Sequence, residues 1–99
     1  MELIPQYYKE ISDLCKAYNV NKLYAFGSVT RKDFNTESDI DLIVDFNPVP
    51  LFSYADNYFD FNYKLEELLK REIDLIDSKS IKNPYFKEEV EKSRVLVYG

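Results

Sequence analysis

Apolar residues at Ile4, Tyr7, Tyr8, Ile11, Leu14, Cys15 and Tyr18 recur at three-then-four spacing, the period of one helical stripe. Pro5 falls in the first turn of this helix, where a missing N–H is tolerated. Asn19 and Asn21 bracket its stop, and Lys22 to Phe26 follows as a short strand whose Leu-Tyr-Ala-Phe run fits buried sheet positions. Gly27-Ser28 ends that strand abruptly. Val29 to Ser38 is polar and without period, a turn and loop with room for one helical turn. Asp39 to Phe46 alternates at its start, with Ile40, Leu42 and Val44 on one face and Asp39 and Asp41 on the other, and Asn47-Pro48-Val49-Pro50 closes it.

Leu51, Tyr54, Ala55, Tyr58, Phe61, Leu65, Leu68 and Leu69 repeat with helical spacing and predict the longest helix, Leu51 to Lys70. Glu72 to Asp77 reads as a third strand. Asn83-Pro84 pairs an N-cap with a first-turn proline, Phe86 and Val90 give the helix behind it a short apolar face, and Val95 to Tyr98 is a terminal strand. This order implies an α/β (α+β) fold, with helices packed on a small mixed β-sheet in one layer pair, as a single domain over residues 1–99 without repeats or linkers.

The length of 99 residues is enough for one core and excludes a large two-domain enzyme. The balance of 13 Lys and Arg against 18 Asp and Glu gives a net charge of −5, so no broad basic footprint exists and nucleic acid is not an expected partner. With no histidine and only Cys15, the usual zinc sets and the Ser-His-Asp and Cys-His systems are excluded. Chemistry falls to carboxylates, Lys, Tyr and oxygen-bound metal ions. The N-terminus lacks the basic start and apolar run of a signal peptide, and no apolar stretch approaches the ~20 residues of a membrane span. A cytoplasmic protein with no membrane partner is expected.

Asp39 and Asp41, two apart on a strand, project from one face with Cα atoms about 6.5 to 7 Å apart. Asp-x-Asp of this kind suits a pair of divalent ions in phosphoryl transfer, and oxygen ligands select Mg²⁺ or Mn²⁺. Alone, the pattern is more often a solvated strand face. Gly27-Ser28 after a strand can cradle phosphate with free N–H groups and a hydroxyl, with Arg31 and Lys32 nearby, although Gly-Ser also ends strands routinely. The combination carries more than either part: Gly27-Ser28-Val29-Thr30-Arg31 precedes Ser38-Asp39-Ile40-Asp41-Leu42, a phosphate cradle ahead of a metal-binding strand.

In these segments the chain resembles the minimal nucleotidyltransferases of the DNA polymerase beta-like superfamily, whose signature runs Gly-Ser-x-x-Arg, a short polar loop, then Ser-Asp-Ile-Asp-Leu. The likeness extends to a long helix and a strand bearing a third carboxylate, matched by Ile73-Asp74-Leu75, and to the terminal strand. It implies the nucleotidyltransferase fold, with Asp39, Asp41 and Asp74 as catalytic residues and ligands of two Mg²⁺ ions. It places Gly27, Ser28, Arg31 and Ser38 on the nucleotide and makes Asp74 an aid in deprotonating the attacking hydroxyl. Lys32 departs from the family, which has glycine there.

Asp74 has rivals in Asp77 and Asp45. Its apolar flanks favour it as a carboxylate on a central strand, an inference that an edge position would reverse, while Asp77 reads as a turn or cap residue. Nine Tyr and seven Phe are abundant for one small core, so Tyr54, Tyr58 and Phe61 read as a packed face with a share turned towards another protein. By the resemblance, the expected activity is Mg²⁺-dependent transfer of a nucleoside monophosphate, AMP from ATP, to a hydroxyl. Chains like this are MntA-type antitoxins paired with an all-helical HEPN toxin, the expected acceptor; a homo-oligomer is left open. The competing reading is a non-catalytic antitoxin that silences its partner by covering it.

Overall fold

The computed structural model describes residues 3–27 and 39–99. The order is α1 (Leu3–Gln6), α2 (Tyr8–Ala17), β1 (Val20–Phe26), β2 (Ile40–Phe46), α3 (Leu51–Leu69), β3 (Ile73–Asp77), a 3-10 turn (Ser78–Ser80), α4 (Pro84–Ser93) and β4 (Val95–Tyr98). The four strands form one sheet in the order β3-β2-β1-β4. β1 is antiparallel to both β2 and β4, and β2 runs parallel to β3. The fold class read from the sequence is the one observed.

Two details differ. The first predicted helix is two, because Tyr7 leaves helical geometry (φ −107, ψ 19) and its N–H closes a tight turn on the Ile4 carbonyl at 3.2 Å. Ile4 and Ile11 are nevertheless both buried: apolar period reports which face is covered, whether or not the hydrogen-bond ladder is continuous. The predicted single layer pair is also incomplete, since helices cover both faces of the sheet. On one face α2 and α3 bring Ile11, Cys15, Phe61, Leu65 and Leu69 against Leu23, Ala25, Ile40, Leu42, Val44 and Phe46. Each fully buried aliphatic or Phe side chain there contributes about 1.5–3 kcal/mol.

On the other face lies α4. Phe86 meets the Phe26 ring edge-on at 5.9 Å, and the Arg94 guanidinium sits 4.2 Å from the centroid of Tyr24. Ile43, opposite Tyr24 in the β1–β2 register, is fully buried on this second face, so Leu42-Ile43-Val44 is buried throughout rather than alternating. The expected N-cap of α4 is present: Asn83 Oδ1 accepts from the N–H groups of Tyr85 (2.9 Å) and Phe86 (3.3 Å), with Pro84 in the first turn. Residues 28–38, where a polar loop is expected, lie outside the described residues.

α3 is tied down by polar tips. The Tyr18 hydroxyl donates to Asp60, Asn57 Nδ2 donates to the Tyr18 carbonyl at 2.8 Å, and the hydroxyls of Tyr54 and Tyr58 donate to Asp77 and to the Leu75 carbonyl. The last two fix the helix against β3, the strand that carries Asp74.

Candidate active site

The C-terminal end of β1 runs beside the start of β2, with Phe26 paired to Asp41. Gly27 follows with φ +75, a left-handed conformation that side chains other than glycine adopt at a cost. A Cβ at Gly27 would stand 2.5 Å from Asp41 Oδ2, so the absence of a side chain there also lets the backbone lie directly against the carboxylate.

On its other side Asp41 is paired in parallel register with Asp74. Neighbouring strands lie about 4.8 Å apart, and directly paired residues project from the same face, so the two carboxylates stand side by side. Asp39, exposed and two residues before Asp41, adds a third negative charge. Partial burial raises the Asp41 carboxyl above the usual carboxylate range, and the charges of Asp74 and Asp39 raise it further.

β3 is an edge strand and Asp74 is exposed, so the expectation of a carboxylate on a central strand is corrected. What singles out Asp74 is its register with Asp41, which apolar flanks do not encode. The two rivals are engaged elsewhere. Asp77 caps the 3-10 turn, its Oδ1 accepting the Lys79 N–H at 2.9 Å, and also takes the Tyr54 hydroxyl, in keeping with its reading as a cap residue. Asp45 accepts from Asn21 Nδ2 at 2.9 Å and lies 4.0 Å from Lys79 Nζ, towards the far end of β2. Ser28, Arg31, Ser38 and Lys32 lie outside the described residues.

Sequence reasoning missed Tyr54 and Tyr58 as supports of the site. Their rings stack at 6.2 Å with an interplanar angle of 21°, and their hydroxyls hold β3 just beyond Asp74. The signal was their spacing of four on an amphipathic helix, where a half-buried Tyr needs a partner for its polar tip.

Among the described residues, no three carboxylate or thiol groups converge closely enough to enclose a cation. The donor chemistry fits a hard divalent ion all the same: the neighbours are carboxylates, and Asp41 carries a repulsion that a cation would relieve. Asp39, Asp41 and Asp74 are the residues that would hold it.

The Polymerase beta, Nucleotidyltransferase family model matches residues 9–99. "Putative protein adenylyltransferase MJ1379" of Methanocaldococcus jannaschii is 37% identical over 98 residues, covering 97% of this chain and 92% of that protein. Among solved structures, one described as a "putative minimal nucleotidyltransferase" superposes with a TM-score of 0.78 at 23% identity, over 95% of this chain and 92% of the other. Another, of a tri-AMPylated Shewanella oneidensis HEPN toxin in complex with MNT antitoxin, gives 0.66 at 19%, over 97% of this chain and 72% of the matched one. Shared sequence across nearly the whole chain and a shared fold agree with the paired carboxylates beside a glycine turn: the chain belongs to the polymerase beta nucleotidyltransferase family.

Proposed function

We propose that this chain transfers AMP from ATP, with Mg²⁺ or Mn²⁺, to a hydroxyl on a partner protein, and that the partner is a HEPN toxin which the transfer silences. The observation that carries this reading is the pairing of Asp41 with Asp74, a carboxylate pair with the Gly27 turn set directly against it. It is supported by the likeness to the Methanocaldococcus protein named as an adenylyltransferase and by the AMP-modified toxin in complex with the Shewanella antitoxin.

The acceptor oxygen attacks the α-phosphorus of ATP, a new P–O bond forms, the bond to the β-phosphate oxygen breaks, and pyrophosphate leaves. Asp39, Asp41 and Asp74 would hold the divalent ions, which supply charge neutralisation on the phosphoryl oxygens and acidify the hydroxyl. Asp74, on the β3 side, accepts the proton, so no histidine is required. By the family likeness, Gly27, Ser28, Arg31 and Ser38 would bind the nucleotide.

The test is label transfer from α-labelled ATP with Mg²⁺ into proteins of the source cell's lysate, comparing wild type with Asp39→Asn/Asp41→Asn. A band present only with wild type, and absent with γ-labelled ATP, is the expected result. Equal labelling by the two proteins, in a lysate that contains the toxin, would instead mean that the chain acts by covering its partner.

A further inference from the structure

Across the sheet the functional groups fall in a fixed order: Gly27 at the end of β1, Asp41 on β2, Asp74 on β3. Beyond β3, between its outer edge and α3, lies a groove of about 430 Å³ lined by Tyr54, Ala55, Tyr58, Phe59, Leu75 and Ile76, with Asp77 and Ser80 at its end. It begins one residue past Asp74, at Leu75, whose carbonyl takes the Tyr58 hydroxyl. Alternation turns Leu75 to the α3 face and Asp74 to the other, so groove and carboxylates meet around the exposed edge of β3, where Asp74 is near enough for its charge to act on the Tyr58 hydroxyl. The wall is apolar with three aromatic rings, and Phe59, edge-on to Tyr58 at 5.1 Å, is 66% exposed at its mouth.

Phe59 also belongs to a ridge on α3, since Phe52, Phe59 and Tyr63 are seven and four residues apart and share one helical face, all three exposed. Asp56 and Asp60 flank the ridge. Lys64 follows Tyr63 on the same helix, leaving the Asp56 and Asp60 side of the ridge with one cation against two carboxylates, and Lys79, beyond Asp77, is directed to Asp45 and the Phe46 carbonyl.

With the glycine turn on the β1 side of Asp41, the β3 side is left for the second reactant. The geometry points to this groove as the docking site of the acceptor protein: a large apolar or aromatic side chain near the receiving hydroxyl enters between α3 and β3, and basic residues of the acceptor meet Asp56, Asp60 and Asp77. This rests on the nucleotidyl-transfer reading above. Pairing by an added strand is disfavoured, because Glu66 takes the Ile73 N–H at 3.0 Å and Tyr58 takes the Leu75 carbonyl, so the outer edge of β3 is already capped by side chains. Recognition there is through side-chain insertion and charge.

Ala55→Arg fills the groove from an exposed helical position, and Phe59→Ala removes its lip. The measurement is the rate at which each full-length variant labels the lysate acceptor from α-labelled ATP, alongside its affinity for a fluorescent ATP analogue with Mg²⁺. Labelling should fall about tenfold or more in both variants, with analogue affinity unchanged. Wild-type labelling rates in both variants would overturn the docking site while leaving nucleotidyl transfer intact, as would a parallel loss of analogue binding. Loss of a dimer on gel filtration in Phe59→Ala would overturn it in favour of a second copy as occupant. No labelling by the wild type would remove the transfer reading and the docking site together.

Discussion

Asp41 and Asp74 are partners in the parallel β2–β3 register, so two like charges stand on adjacent strands with Gly27 pressed against one of them. A structure selected for stability alone would not place them so. The repulsion is tolerable where a cation is to be bound, and its cost is borne by the metal-free protein.

Asp41→Asn should therefore abolish transfer and yet raise the melting temperature of the metal-free protein at neutral pH. The sign follows from the raised carboxyl. The folded state holds the Asp41 proton more tightly than the unfolded state does, so ionisation penalises the fold above the folded pKa. That penalty fades as pH drops through the folded value towards the unfolded one. Thermal unfolding of both proteins at about pH 7 and about pH 4 checks this. The variant's advantage should be largest at neutral pH, shrink in acid, and shrink also when Mg²⁺ is added. Equal melting temperatures throughout would mean that the carboxylates do not feel one another.

Gly27→Ala should disable the site by a separate route. Its backbone is left-handed, which costs an alanine roughly 1–2 kcal/mol, and the new methyl must displace the Asp41 carboxylate. Transfer should be lost and stability reduced. In a double-mutant cycle with Asp41→Ala, the loss of stability should be smaller than the sum of the two, because removing the carboxylate clears the space the methyl needs. Strict additivity would rule out the contact as the cause.

Burial pushes the Cys15 thiol up to about 12, leaving it protonated and inert in the folded protein. Alkylation at neutral pH should then proceed only through unfolding, with a rate that rises with denaturant in step with the loss of structure. Rapid modification of the native protein at neutral pH would show that the helix α2 opens locally.

Local chemistry was the part of the fold available from sequence. Asn83-Pro84 states a cap and a first turn in its own side chains, and the alternation Asp39-Ile40-Asp41-Leu42 states which face of β2 meets the core. The break at Tyr7 was hidden because apolar spacing runs through it unchanged, and the cover over Ile43 was hidden because a strand's second face is defined by whatever packs there. For the site, the chemical identity of the carboxylates could be read, whereas the adjacency of Asp74 to Asp41 is a matter of strand register, set by pairing between segments thirty-odd residues apart. Tyr54 and Tyr58 looked like core residues for a similar reason: only the fold shows where their hydroxyls end.

The capped edge of β3 has a consequence for how these molecules behave when crowded together. A sheet with an open border at each side can polymerise in two directions, but here Glu66 and Tyr58 occupy backbone groups along one border, and fibril growth through that side requires their displacement first. The remaining border is β4, only four residues long from Val95 to Tyr98. Strand addition is thus left mainly to one short border, a geometry that works against open-ended growth of the sheet.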